Sequence, residues 1–405
     1  MTNQIYTPPK KILDKYANVL VNFALHSGKG IKAGEVVQIA VPDVAKPLAH
    51  SLYETAILAG AHPLMRLLPT GFDRVFYQNA TEDQLAFFPK KYLKHKAALL
   101  DHSISIIADV DPEELKGVDT GKIMTHRAAQ YPYREWLFAK EHKGGFSWTA
   151  ALWGTPAKAA VVGLTYKEYW QQIIKACYLD MDDPVEEWRK LERKQRGIKK
   201  WLDALSIASV HLTGPDVDLT IKIGPERAWK TGSGSNIPSY EHFTSPDWRG
   251  TEGWIRFNQP LYRYGNIIQD IRLEFSKGRV TKATAKEGQQ VLDSMLNSTN
   301  ADKLGEFSLT DKRFSRITHP MAETLFDENM GGPHGNTHVA VGMSYKDCYK
   351  GDPSTLKPKD WKKLGYNNSS VHTDIISTTE RTVTATLADG STKVIYENGS
   401  FTGTL

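Results

Sequence analysis

The 405-residue sequence has only two cysteines and lacks any apolar run of membrane-spanning length. Cys177 and Cys348 cannot build a disulfide framework, and they match no cysteine spacing of a structural zinc site. The N-terminal segment also lacks the charged start, apolar block and small-residue cleavage site of a secretory signal. These absences argue against a disulfide-rich secreted protein, and they predict a cytoplasmic protein without a membrane partner.

A strong charge imbalance is also missing. Lysine and arginine number 51 and aspartate and glutamate 46, which gives a formal net charge of +5. The densest basic stretch, residues 186–201, has acidic residues among its lysines and arginines. It is therefore interpreted as a solvated helical face rather than a phosphate-binding surface, and no nucleic-acid partner is expected.

The first half alternates strand-like and helix-like patterns, in a chain that exceeds what one hydrophobic core usually serves. Residues 35–42, 62–69 and 103–110 are short, apolar, strand-like runs. Between the first two, residues 44–60 have apolar side chains at four-residue spacing, which predicts a helix with Asp43 as its N-cap. The pattern predicts a mostly parallel sheet covered by helices.

The second half has a different pattern. Residues 217–224, 270–285 and 381–401 contain alternating strands separated by Ser-Lys-Gly, Asp-Gly and Asn-Gly turns, typical of antiparallel hairpins. The sequence thus predicts an α/β N-terminal domain over residues 1–205 and a β-rich α+β C-terminal domain over 206–405.

Candidate metal ligands gather in this second half. His372 and Asp374 are two residues apart in an alternating run, so on a strand both side chains lie on the same face. Glu306 lies in an apolar stretch, where a buried carboxylate requires a partner such as a cation. His338 also lies in an apolar run. Taken alone, His338 and the His372–Asp374 pair are each more often hydrogen-bonded structural residues than metal ligands.

Carboxylate and imidazole ligands without thiolates suit zinc, cobalt or manganese in a catalytic site. Several carboxylates with two histidines suit a pair of cations that share a bridging carboxylate and a water, an arrangement typical of hydrolases. Other two-metal hydrolases, acting on phosphate esters or amides, use the same ligands. A non-catalytic peptide- or nucleic-acid-binding protein with structural histidines also stays open.

Five ordered segments, NIPSYEHFTSPD, LGEFSL, LFDEN, HVAVGMSY and VHTD, resemble the metal-dependent aminopeptidases of the aminopeptidase T and aminopeptidase S family. The resemblance extends over the full length of the chain and includes AGEVVQIAVPDVAKPLAH in the first half. It implies a homodimer with two divalent metal ions (zinc, cobalt or manganese) per subunit. The metal ligands that it implies are Glu241, Glu306, His338, Tyr345, His372 and Asp374.

Two of these positions have rivals in the sequence. Glu252 is a competing acid, and Glu241 is preferred because its flanking residues match the family motif. His334 competes with His338, but only His338 has a tyrosine seven residues beyond it.

Three neighbouring residues have open or structural interpretations. His242 adjoins Glu241 and faces the opposite way on a strand, so it is expected to be structural. Asp327 and Glu328 are equally expected to orient ligands or to cap a turn.

The spacing of His338 and Tyr345 has the wrong parity for one continuous strand. Both side chains reach one site only if the chain bends, and Gly342 is the expected position.

The predicted function is that of a metallo-aminopeptidase, which hydrolyses the N-terminal residue from peptides that have a free N-terminus. Two cations activate a bridging water. Glu306 and Tyr345 are the predicted catalytic residues, Glu306 as a bridging or proton-handling carboxylate and Tyr345 as a metal ligand or oxyanion donor.

Overall fold

A computed structural model describes residues 6–224, 226–232 and 234–403. Helices dominate the first half, and α1 continues into a π-helical turn at Leu20–Ala24. The α-helices are α1 (Lys10–Val19), α2 (Lys46–Leu58), α3 (Phe72–Asn79), α4 (Glu82–Ala86), α5 (Lys90–Leu99), α6 (Thr120–Glu141), α7 (Pro156–Val161), α8 (Tyr166–Ala176), α9 (Pro184–Ala204), α10 (Gln289–Leu296), α11 (Thr324–Asp327) and α12 (Pro358–Lys363).

Strands occur in both halves. They are β1 (Val36–Pro42), β2 (His62–Leu68), β3 (His102–Ile107), β4 (Ser147–Leu152), β5 (Ile207–Gly214), β6 (Val217–Lys222), β7 (Lys230–Thr231), β8 (Asn236–Ile237), β9 (Glu241–Thr244), β10 (Glu252–Arg256), β11 (Leu261–Arg263), β12 (Asn266–Ile268), β13 (Arg272–Ser276), β14 (Arg279–Thr284), β15 (Leu304–Thr310), β16 (Asn336–Gly342), β17 (His372–Ser377), β18 (Thr382–Leu387), β19 (Thr392–Glu397) and β20 (Ser400–Phe401).

The first sheet is parallel, in the order β2-β1-β3-β4-β8. The strand-helix-strand unit β1-α2-β2 and the later strand β3 confirm the predicted parallel sheet. The predicted cap was wrong. Asp43 does not cap α2 with its side chain but accepts hydrogen bonds from the backbone and hydroxyl of Thr70, while Pro47 lies in the first turn of the helix.

The second half is antiparallel and strand-rich, as predicted. Eight strands form one sheet in the order β14-β13-β10-β6-β5-β18-β19-β20, and a second sheet has the order β17-β16-β15-β9-β7. The predicted division near residue 205 falls between α9 and β5 and stays a prediction. One strand from beyond it, β8, adds to the parallel sheet by pairing with β4.

Helix α9 links the two halves. It contains residues 186–201, which confirms the predicted helix there. Its apolar stripe is buried while its lysines, arginines and acids pair along the exposed face. Trp188 from this stripe stacks between Phe23 and Tyr240, with ring centroids 5.9 Å away on each side. This contact anchors the segment that leads into β9 and Glu241.

Within the described ranges, every helix is too short or too polar to span a bilayer.

Candidate metal centre

Neighbouring strands of the second antiparallel sheet bring the predicted residues onto one face. Glu306 of β15 lies opposite Ala340 of β16, which in turn lies opposite Asp374 of β17. His338, two residues before Ala340, lies opposite Ser308. Because side chains on a strand alternate, all five residues project from the same face. The small Ala340 leaves room between the two carboxylates.

The other two ligand candidates on the strands follow from the same alternation. Ser308 lies opposite Phe243 of β9, so Glu241, two residues earlier, shares their face. His372 lies two residues before Asp374 on β17. The residues that sequence analysis selected therefore meet on one sheet face.

The side chains converge to within ligand-sharing distances. His338 Nε2 lies 3.1 Å from Glu306 Oε1 and 3.3 Å from Glu241 Oε2. His372 Nε2 lies 3.4 Å from Asp374 Oδ1 and 3.8 Å from the other oxygen of Glu306. These side chains form two groups that could each hold a cation, one of Glu241, Glu306 and His338 and one of Glu306, His372 and Asp374. Glu306 belongs to both groups.

Hydrogen bonds orient these side chains. His372 Nδ1 lies 2.8 Å from the Met343 carbonyl, which can only accept, so Nδ1 carries the proton and Nε2 presents its lone pair to the cluster. The Glu241 carboxylate accepts hydrogen bonds from the Ser239 and Ser308 hydroxyls, each at 3.3 Å. The donor set is thus positioned as ligating imidazoles and carboxylates usually are.

Tyr345 reaches the same cavity after the chain leaves β16. The strand ends at Gly342, whose φ of 103° is the left-handed conformation that lets the chain bend there, as the parity of the spacing predicts. The Tyr345 backbone N–H donates to Ser245 Oγ at 2.8 Å. Its ring packs edge-on against His372 with centroids 4.8 Å apart.

A bulge at Gly305 allows this arrangement. The pairing register shifts between Leu304 and Glu306, and a Cβ at Gly305 would lie 2.2 Å from the Met343 carbonyl oxygen. The close approach of the two backbones brings the end of β16 against the strand that holds Glu306.

Gly305→Ala is therefore expected to destabilise the fold by about 3 kcal/mol or more, because backbone must move to relieve the overlap. Gly197→Ala is the matched control, since nothing lies within 4 Å of a Cβ at that helical position. That control is expected to be neutral or to stabilise by up to about 1 kcal/mol. Urea unfolding measures both, and equal midpoints would contradict the close-approach explanation.

Burial and charge set the chemistry of the cluster. Burial raises the pKa of Glu306 to about 7 even though His338 donates to it. The pKa of Glu328 is raised by burial and by the neighbouring Glu241 and Asp374 charges. Burial opposes ionisation of Asp374, but the adjacent His372 and His338 hold its pKa below the ordinary range.

The donor set fits divalent cations. Among the described residues, no lysine or arginine forms an ion pair with the four carboxylates, and Asp374 Oδ1 and His338 Nδ1 have no hydrogen-bond partner. Within the described ranges, only His338 and His372 form ion pairs with members of this set, Glu241, Glu306, Glu328 and Asp374, so much of the negative charge of this largely buried cluster stays uncompensated. Cations held by the oxygens and imidazole nitrogens would supply it.

Glu328 is a further acid in the cluster. It lies at the end of α11, and its Oε1 accepts hydrogen bonds from the side-chain amides of Asn236 and Asn329 at 3.2 and 3.3 Å. It forms a third possible cation-holding group with His338 and Asp374. The neighbouring Asp327 has the second of the two roles that the sequence left open. It caps a turn, because its carboxylate accepts hydrogen bonds from the backbone N–H groups of Met321 and Glu323.

The rival residues lie elsewhere. Glu252 is exposed on β10 and accepts a hydrogen bond from the Lys277 backbone. His334 precedes β16 and belongs to none of the possible cation-holding groups among the described residues. His242 faces the other side of the sheet, where it contacts the Gln195 carbonyl and where burial lowers its pKa to about 4.

The cluster lines a cavity that opens to solvent. Helix α6 covers one side with Tyr131, Glu135 and Phe138, and Trp148 also lines it. The Tyr131 hydroxyl donates to Asn368 Oδ1 at 2.7 Å, which connects the helix to the loop that leads into β17. The cavity gives a small organic substrate access to the candidate cation positions.

Proteins of known name are similar to this chain over nearly its whole length. Aminopeptidase PepS of Streptococcus thermophilus is 26% identical over 415 residues, which cover 97% of this chain and 98% of that protein. Aminopeptidase T of Thermus aquaticus is 26% identical, with 94% of this chain and 97% of that protein covered. The solved structure of wild-type AmpT from Thermus thermophilus shares the fold, with a TM-score of 0.81 at 23% identity over 97% of this chain and 100% of that chain. The sequence profile of the thermophilic metalloprotease family (M29) matches residues 9–401, and the chain belongs to that family.

Proposed function

We propose that this metalloprotease is an aminopeptidase that removes the N-terminal residue from peptides at a centre of two divalent cations. The observation that carries the proposal is the sharing of Glu306 between two possible cation-holding groups, one with Glu241 and His338 and one with His372 and Asp374. The similarity to proteins named aminopeptidases supports the choice of substrate.

The five residues of these two groups and Tyr345 would have different roles in the reaction. When bound, two cations of zinc, cobalt or manganese would supply Lewis acidity that polarises the scissile carbonyl and acidifies a water shared between them. Glu306, which belongs to both groups, would be shared by the two cations or would accept the proton of the attacking water. Tyr345 would donate its hydroxyl proton in a hydrogen bond to the developing oxyanion.

Glu328 would bind the ammonium group of the substrate. It faces the cavity beside the cluster, two amide donors orient its carboxyl group, and bound cations would favour the ionised form that burial and the neighbouring charges disfavour. A carboxylate in this position would favour a positively charged N-terminus over a blocked one.

Glu328→Gln is accordingly expected to raise KM for unblocked peptides about tenfold while kcat changes less, since the interaction exists before and during the reaction. Steady-state kinetics and metal content are measured together. Unchanged metal content with raised KM supports the anchoring role, whereas loss of bound metal would make Glu328 a ligand instead.

The reaction is tested with an unblocked peptide and its N-acetylated twin, using dialysed protein to which cobalt or zinc is restored. Metal-dependent release of the first residue from the unblocked peptide alone is expected. Cleavage of both peptides equally would contradict the exopeptidase assignment. Hydrolysis of a phosphoester in place of either peptide would favour the other two-metal hydrolases.

The homodimer and the cytoplasmic location stay predictions from the family resemblance and the composition. Light scattering on the purified chain is expected to give twice the 45.4 kDa mass of one subunit.

A further inference from the structure

A second set of metal-binding residue types lies in the first half of the chain. His26, Glu35 and His102 bring one ligand atom each to within 4.8 Å of one another. Glu35 immediately precedes β1, His102 is the first residue of β3, and His26 follows the π-helical turn. We name these three residues the sheet-edge cluster, because they gather at the amino ends of the parallel strands.

We propose that the sheet-edge cluster binds one divalent transition-metal ion of the zinc type. His26 Nε2 and His102 Nε2 each lie 2.9 Å from a different oxygen of Glu35. Ligands of one tetrahedral zinc ion are roughly 3.3 Å apart, so a small outward shift would admit the ion. Two imidazoles and one carboxylate form a known zinc-binding set that leaves a fourth position open.

The surroundings favour a preformed site. His102 is fully buried, and its Nδ1 lies 2.9 Å from the Ser147 hydroxyl, a contact that orients the ring. The Glu35 side chain and the His26 side chain are each 21% exposed, which gives an ion access from solvent. No lysine or arginine side chain in the described ranges pairs with Glu35.

The backbone around His26 is unusual for non-glycine residues. His26 and Ser27 have φ values of 51° and 52°, both in the left-handed region. The His26 backbone N–H donates to Ser147 Oγ, so the same hydroxyl contacts both histidines. The strained turn holds His26 against the sheet instead of letting it point to solvent.

The cluster adjoins the cavity of the candidate metal centre. Ser27 and Trp148, the chain neighbours of His26 and Ser147, line that cavity. An ion in the sheet-edge cluster would therefore fix two parts of the cavity wall.

Cobalt titration of the metal-stripped full-length chain tests the proposal. The double variant Glu306→Gln/His338→Ala serves as background, because it removes ligands of the candidate centre. This background is expected to bind about one equivalent of cobalt with the visible absorption of a tetrahedral ion, and adding His26→Gln or Glu35→Gln is expected to abolish it. His95→Gln, an exposed histidine on α5, is the matched control and is expected to retain the ion.

Retention of the cobalt spectrum by His26→Gln and Glu35→Gln, or failure of the folded background to bind cobalt, would overturn the proposal. If circular dichroism shows that the background does not fold, the same single variants are compared in the wild-type chain. Zinc retained after desalting should then fall by about one equivalent in His26→Gln, and equal zinc content would overturn the proposal.

Discussion

Glu306→Gln is expected to lower kcat/KM for an unblocked peptide by about 10³-fold or more. Glu306 belongs both to the group with Glu241 and His338 and to the group with His372 and Asp374, so its loss removes a ligand from each. Glutamine has similar size but lacks the charge and cannot accept the proton. Both effects lower kcat, because they act on the transition state. Steady-state kinetics on metal-restored protein measures the change.

Glu252→Gln is the matched control for this variant. It removes the same charge from the same half of the chain at an exposed position outside the cavity lining. Its kinetics are expected to equal those of the wild type. A Glu306→Gln enzyme with more than a tenth of wild-type kcat and full metal content would contradict both the bridging and the proton-handling roles.

The sequence predicted the elements of the fold that depend on local residue patterns. The β-branched run at 35–42 and the apolar spacing after it predict β1 and α2 because both periodicities are local. The Asp43 cap failed because Thr70, 27 residues later, offers the same carboxylate a hydroxyl and an N–H donor. The sequence did not predict that β8 pairs with the parallel sheet, because a two-residue strand has no periodicity to detect.

The candidate site followed partly from the sequence. The His-x-Asp spacing predicts that His372 and Asp374 share a face, and the parity of Tyr345 requires the bend at Gly342. No local pattern predicted that Glu328 lies beside the metal ligands, because its position depends on how α11 packs against β8 and β15. The LFDEN segment identified Glu328 as a candidate. The direction of its side chain depends on the amide donors Asn236 and Asn329, which the sequence does not reveal.

The metal-stripped protein is expected to lose stability as pH rises from 5 to 8. Burial raises the pKa of Glu306 from its ordinary 4.5 and of Asp327 from 3.8, each to about 7, and burial with the Asp347 charge raises that of Glu141 to about 8. These three groups bind more protons in the folded state than in the unfolded state over this range, and we expect them to outweigh the opposite effect of His242, whose pKa burial lowers to about 4. The stability these groups contribute is present below about pH 4.5 and is lost as pH rises through 7 to 8. His338 acts in the same direction, since burial opposes its charge but Glu241 and Glu306 raise its pKa.

Bound cations should oppose this loss, because they bind the ionised carboxylates and not the protonated ones. For Glu306 alone the shift corresponds to roughly 3 kcal/mol, so the Tm of the stripped protein should fall by roughly 5 °C or more between pH 5 and 8. The gain in Tm on adding zinc should therefore grow with pH. Thermal unfolding of stripped and loaded protein measures both curves. Glu306→Gln should make the stripped curve less steep and Glu252→Gln should not. Parallel curves for stripped and loaded wild type would contradict a cation bound by these carboxylates.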